Sequence, residues 1–125
     1  MWVFSLFRSK ILELEIFSKM IVHHLKILPE YYAAIVSNEK RFELRKNDRS
    51  FQVGDFLLLL EFDIATQRPT ERWIKAEVVY HLEGERVSDY GLKKGYCCMS
   101  LNVIAHGNSY SELSDGFSPQ FSKGG

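Results

Sequence analysis

The stretch Lys40-Arg41-Phe42-Glu43-Leu44-Arg45-Lys46-Asn47-Asp48-Arg49 decides how this chain is read. It sets five cations and two carboxylates side by side, while the whole chain balances 16 Lys+Arg against 16 Asp+Glu. Such a local excess over a neutral background marks a candidate site. Arg41, Glu43 and Arg45 alternate with Phe42 and Leu44. That is the period of a half-buried strand, with one face apolar and the other charged. A lysine, a glutamate and an arginine on or beside one sheet face can hold a polar ligand that carries both donors and acceptors.

Upstream, Ile21, His23, Leu25 and Ile27 alternate as the inward face of a first strand. Pro29 suits the first turn of a helix, and Tyr32, Ile35 and Val36 follow at helical spacing, so a short helix is expected over 29–37. Asn38, which tolerates a left-handed backbone, closes it. Downstream, 46–50 is a polar turn and Val53-Gly54-Asp55 a second one. Phe56 to Phe62 is a nearly continuous apolar run, as in a central strand. A loop is expected over 63–70. A strand over 73–82 then has Ile74, Ala76, Val78, Tyr80 and Leu82 facing inward, and a last strand runs over 96–104. After His106 the composition turns to Ser, Gly and Asn, predicting a flexible tail over 106–125. Residues 1–19 read as an N-terminal extension, either an extra edge strand (Leu12, Leu14 and Ile16 alternate with Glu13 and Glu15) or a short amphipathic helix. Met20 opens the cleaner pattern, so the domain is drawn over 20–105. The expected fold is α+β: a small mixed β-barrel of five to six strands with one or two short helices.

A chain of 125 residues fits one domain with a real core. Neutrality argues against gripping duplex nucleic acid mainly through counterion release. It leaves room for a single strand, a nucleotide or a modified base in a small basic cleft. Cys97 and Cys98 are adjacent and point to opposite faces of a strand, which suits neither a disulfide framework nor a zinc site. Reduced thiols of a cytoplasmic protein are the expectation. The four histidines, His23, His24, His81 and His106, lack metal spacing, and no phosphate loop or nucleophile elbow occurs. No metal, cofactor or membrane contact is expected.

The order of elements, with Asn38, Lys40, Glu43 and Arg45 after the first helix, resembles the PUA-like superfamily. It looks most like the ASCH branch, whose pattern at this place is Gly-x-Lys-x-x-Glu-x-Arg and which is predicted to bind RNA. The chain is similar to a small group of uncharacterised bacterial and phage domains within that superfamily. The shared pieces are His23 to Ile27, Pro29 to Tyr32, Glu43 to Arg49, Val53 to Asp55 and Leu92 to Tyr96. The resemblance covers about residues 20 to 104 and implies a PUA-like barrel of ASCH type. One departure is Glu71 before Arg72, where the family usually has Gly, so Arg72 is set aside as a site residue.

Each candidate has two readings. Lys40 is either a solvated surface lysine or, held near an arginine and partly desolvated, a base or nucleophile. Glu43 is either one arm of an intrastrand ion pair worth ~0.2–1 kcal/mol or an acceptor for the exocyclic amine of a base. Arg45 and Arg49 can offer a planar fork to phosphate or a base edge, although Arg49 also belongs to a polar turn. His23 is a satisfied buried histidine or orients a cleft group. Lys26 falls on the opposite face. Among Tyr31, Tyr32, Trp73 and Tyr96, the last is the expected stacking platform.

Together these residues make the leading expectation a binding module for RNA or a modified nucleotide. The first alternative is a metal-independent amidohydrolase acting on an acylated cytidine, as the resemblance implies for some ASCH-like proteins, with Lys40 and Glu43 catalytic. The hydroxyl residue of that mechanism is replaced by Glu43. The second alternative is a phage or host accessory domain that docks a protein partner through the N-terminal extension.

Overall fold

The computed structural model describes residues 20–114 and 117–121. The readings placed on residues 1–19 lie outside the described residues. Strand β1 (Val22–Ile27) leads into helix α1 (Pro29–Val36), followed by β2 (Phe42–Lys46), β3 (Phe56–Asp63) and β4 (Arg68–Glu83). A four-residue helix α2 (Gly84–Val87) and a 3-10 turn (Ser88–Tyr90) precede β5 (Tyr96–Gly107), and a further 3-10 turn spans Tyr110–Glu112. The five strands form one mixed sheet in the order β1-β3-β4-β5-β2. Only β1 and β3 run parallel; the other pairs are antiparallel. The chain is therefore α+β, a mixed half-barrel with β1 and β2 as its two edges.

Inside the curve, Leu25, Ile27, Tyr32, Ile35, Phe51, Leu57, Leu59, Ile74, Ala76, Val78, Cys97, Met99 and Leu101 form the main core. The apolar run of β3 is buried on both faces: Leu58 and Leu60 belong to a second cluster with Trp73 and Phe117. Part of the segment expected as a flexible tail over 106–125 packs in or against that cluster. β5 continues to Gly107, a capping box at Ser109 and Glu112 closes the next turn, and Phe117 is only 6 % exposed. The outer face of β3 and β4 requires an apolar cover, and this segment supplies it.

Three further differences arise from local geometry. Half of the expected loop over 63–70 is strand, because Asp63 pairs with Arg68 across a tight turn in which Gln67 takes a φ of +57°. On β2 the faces are reversed: Phe42 and Leu44 are exposed, while Glu43 is 4 % exposed. Pairing with two cations makes burial of that carboxylate tolerable. On β4 the ladder slips between Val78 and Tyr80, leaving Val79 as an extra residue. This bulge ends the predicted alternation, so Tyr80 points outward and is 63 % exposed.

Candidate functional site

The end of α1 aims the first candidate. Asn38 takes a φ of +68°, as expected for a left-handed cap, and the turn brings the amides of both Glu39 and Lys40 back to the Ala34 carbonyl. Lys40 Nζ donates to Glu43 Oε1 at 2.6 Å and to the Phe42 carbonyl at 2.6 Å. Arg45 Nε donates to the other oxygen, Glu43 Oε2, at 2.6 Å. Glu43 thus sits between a primary ammonium and a guanidinium, each on its own oxygen. Its side chain is 5 % exposed, against 15 % for Lys40 and 23 % for Arg45.

The register explains this convergence. Glu43 lies opposite Met99 and Arg45 opposite Cys97, both inward-facing positions of β5. At the edge of the half-barrel that inner face opens onto solvent. A cleft of about 420 Å³ results, lined by Lys26, Tyr31, Lys40, Phe42, Glu43 and Arg45 among others. Lys40 Nζ lies 4.9 Å from the Phe42 ring centroid and 5.5 Å from that of Tyr31. Both rings are partly exposed, at 47 % and 44 %, so the charged wall carries an aromatic rim.

The cleft occupies the seam between the two edge strands, and arginines bridge that seam. Arg45 Nη2 donates to the Lys26 carbonyl at 2.6 Å, and Arg49 Nη1 to the His24 carbonyl at 2.9 Å. These carbonyls lie two residues apart on β1 and so point to the same side, away from β3. Guanidinium groups take the place of a backbone ladder there.

Lys40, Glu43 and Arg45 therefore meet in one hollow, and three other candidates lie elsewhere. His23 donates Nε2–H to Asp55 Oδ2 at 2.8 Å and packs edge-on against Phe51 at 4.6 Å, which makes it a satisfied core histidine. Arg49 braces β1 from the following turn. Tyr96 pairs with Lys46 and so projects from the opposite face of the sheet to Arg45. The exposed rings beside Lys40 are Tyr31 and Phe42. Their signal in the sequence was proximity: each flanks a residue already tied to the motif.

A second ionic centre was not anticipated. Glu61, 1 % exposed, accepts from Arg72 Nε at 2.7 Å and Nη2 at 2.6 Å, and from Thr70 Oγ1 at 2.7 Å. Arg72 also stacks 4.9 Å from the Tyr32 ring. Arg72, set aside as a site residue, thus braces Glu61 against Tyr32. Glu71 nonetheless adopts the left-handed backbone that a glycine would take, with φ +71°. The lone charge in the apolar run of β3 was the available clue to the pair.

Free coordination chemistry is sparse. Among the described residues no cluster of three His, Cys, Asp or Glu side chains is placed to hold a metal ion. Cys97 is buried, which pushes its thiol up to about 11. Among the described residues, no helix is long and apolar enough to cross a membrane.

Comparison with protein families places the geometry in context. The model of the domain of unknown function DUF3850 matches residues 22–101, and the chain belongs to that family. No curated protein matches it. The matched region begins at β1 and ends within β5, so it contains every residue of the cleft.

Proposed function

We propose that this DUF3850 chain is a PUA-like, ASCH-related module that binds RNA or a nucleotide with a modified base in the seam cleft. The observation that carries the reading is the convergence of Lys40, Glu43 and Arg45 on one open hollow with Tyr31 and Phe42 at its rim. A base needs a stacking surface together with donors and acceptors on its edge, and this wall offers all three. By valence, Lys40 keeps one N–H beyond its two internal bonds, and the Arg45 guanidinium keeps three. Each Glu43 oxygen retains a second lone pair for an exocyclic amine. The internal pairing also holds these groups in place before a ligand arrives, which reduces the cost of ordering them on binding.

Binding is favoured over hydrolysis because Glu43 stands where the amidohydrolase pattern has its hydroxyl nucleophile. The test uses short single-stranded RNA and N4-acetylcytidine with the full chain. Saturable binding without turnover, lost on Lys40→Ala while the fold persists, supports the module. Release of acetate that depends on Lys40 would replace it with the amidohydrolase. Binding of neither ligand would remove the nucleotide reading altogether.

A further inference from the structure

The Val79 bulge has a chemical consequence on the other side of β5. Without the extra residue, the alternation of Ile74, Ala76 and Val78 would carry Tyr80 and Leu82 into the interior. The slip instead sets His81 opposite Met99 and Glu83 opposite Cys97, the inward-facing positions of β5. The same two residues of β5 face Glu43 and Arg45 on β2. Two rows thus cross the inner face, Glu43–Met99–His81 and Arg45–Cys97–Glu83. Their polar ends lie two strand spacings apart, roughly 10 Å. Bulges commonly re-aim a side chain toward a site.

His81 and Glu83 line a second cleft, of about 320 Å³, together with Tyr80, Leu82, Arg86 and Val87. Its floor is rigid: a Cβ on Gly84 would lie 1.9 Å from the Lys93 carbonyl oxygen, so α2 packs directly on that backbone. Gly95 N donates to Glu85 Oε1, tying the same short helix to the start of β5. The polar side chains of the cleft contrast with those of the first. Lys40, Glu43 and Arg45 satisfy one another. Tyr80, His81, Glu83 and Arg86 form no side-chain hydrogen bond or ion pair with another described residue. The Nε2 atom of His81 is buried without any partner, an arrangement that folded proteins rarely leave unanswered.

We propose that this second cleft is a binding site for a phosphorylated sugar. The Arg86 fork suits a phosphate, the Glu83 carboxylate suits sugar hydroxyls, and the His81 ring adds a donor or acceptor. For a free sugar phosphate the proposal goes beyond the function assigned to the first cleft; for a strand it rests on that function. Its ligand is either a free sugar phosphate or the backbone unit of a strand whose base enters the first cleft.

The test follows the His81 ring resonances of the full chain by NMR during titration with ribose 5-phosphate, ribose, inorganic phosphate and the dinucleotide UpU. A saturable shift with ribose 5-phosphate is expected, weaker with either fragment alone. Affinity should fall about tenfold in the exposed-surface variant Arg86→Ala and also in Glu83→Gln. A response to UpU but not to ribose 5-phosphate would identify a strand as the source of the same chemistry. No shift with either probe would overturn the proposal, as would a shift undiminished in both Arg86→Ala and Glu83→Gln.

Discussion

Arg45 donates to the backbone carbonyl of Lys26 at 2.6 Å and so joins the two outermost described strands of the sheet, while its Nε holds Glu43. One side chain therefore closes the half-barrel and builds the cleft wall. Lysine keeps the charge but loses the fork, and cannot reach both acceptors from one planar group. Arg45→Lys is expected to cost roughly 1–3 kcal/mol, the range for losing one charge-assisted hydrogen bond from a part-buried site. Urea unfolding should show a lower midpoint with an unchanged slope. An unchanged midpoint would mean that the seam bridge contributes nothing to the fold.

Glu43 has the opposite character: its shape matters less than its charge. Glu43→Gln preserves volume and one acceptor but leaves Lys40 and Arg45 as neighbouring cations without a counter-ion. Stability should fall by about 1–3 kcal/mol, and the cleft becomes a more positive surface. Binding to single-stranded RNA should then lose its preference among bases and depend more steeply on salt, because phosphate contacts replace base contacts. Fluorescence anisotropy at two salt concentrations measures both effects. Retained base preference in this variant would show that Glu43 does not read the ligand.

Acid should loosen the terminal segment through His24. Its Nδ1 accepts the Gln120 amide at 3.1 Å, which requires a neutral ring. Burial, with Arg49 and His23 nearby, lowers its pKa from the ordinary 6.5. Because the unfolded chain binds the proton more readily, stability is fully present above pH 6.5 and is lost as pH falls toward the lowered folded value. Thermal unfolding across that interval should show a slope that flattens in His24→Asn. Proteolysis near the C-terminus should accelerate over the same interval in the parent chain. Equal slopes in both proteins would assign the acid sensitivity to other groups.

Much of this architecture was legible because alternation and turn chemistry act over a few residues. β1, α1 and β3 lie within a residue or two of their expected bounds, and Asn38 takes the left-handed turn that its position required. The faces of β2 were harder to read. An apolar/charged alternation identifies two faces but does not say which is inward, and at a barrel edge a compensated carboxylate can take the buried one. The Val79 bulge was hidden for another reason: Val78, Val79 and Tyr80 are all apolar, so an inserted residue leaves no trace in the pattern. The cleft itself was partly legible. Lys40, Glu43 and Arg45 were brought together by local sequence, whereas the contributions of Lys26 and Tyr31 depend on a sheet edge folding back over the motif.

Phe117 provides the sharpest separation between local composition and long-range packing. Its neighbours in sequence are Ser, Gly and Asp, which favour loops. The β3 run, however, leaves Leu58 and Leu60 on a face that no other strand among the described residues covers. Phe117 meets them together with Trp73, lies edge-on to Phe56 at 6.0 Å, and receives Lys75 Nζ at 4.0 Å over its ring. Phe117→Ala should therefore cost about 3 kcal/mol, as for a large aromatic removed from a core, where a loosely attached tail would lose almost nothing. The seam cleft lies on the opposite side of the sheet, so ligand affinity in the folded variant should be unaffected. Denaturant unfolding and an RNA titration on the same protein separate the two effects. A loss of stability below about 0.5 kcal/mol, the usual range for surface substitutions, would show that the outer face of β3 is covered by something other than this ring.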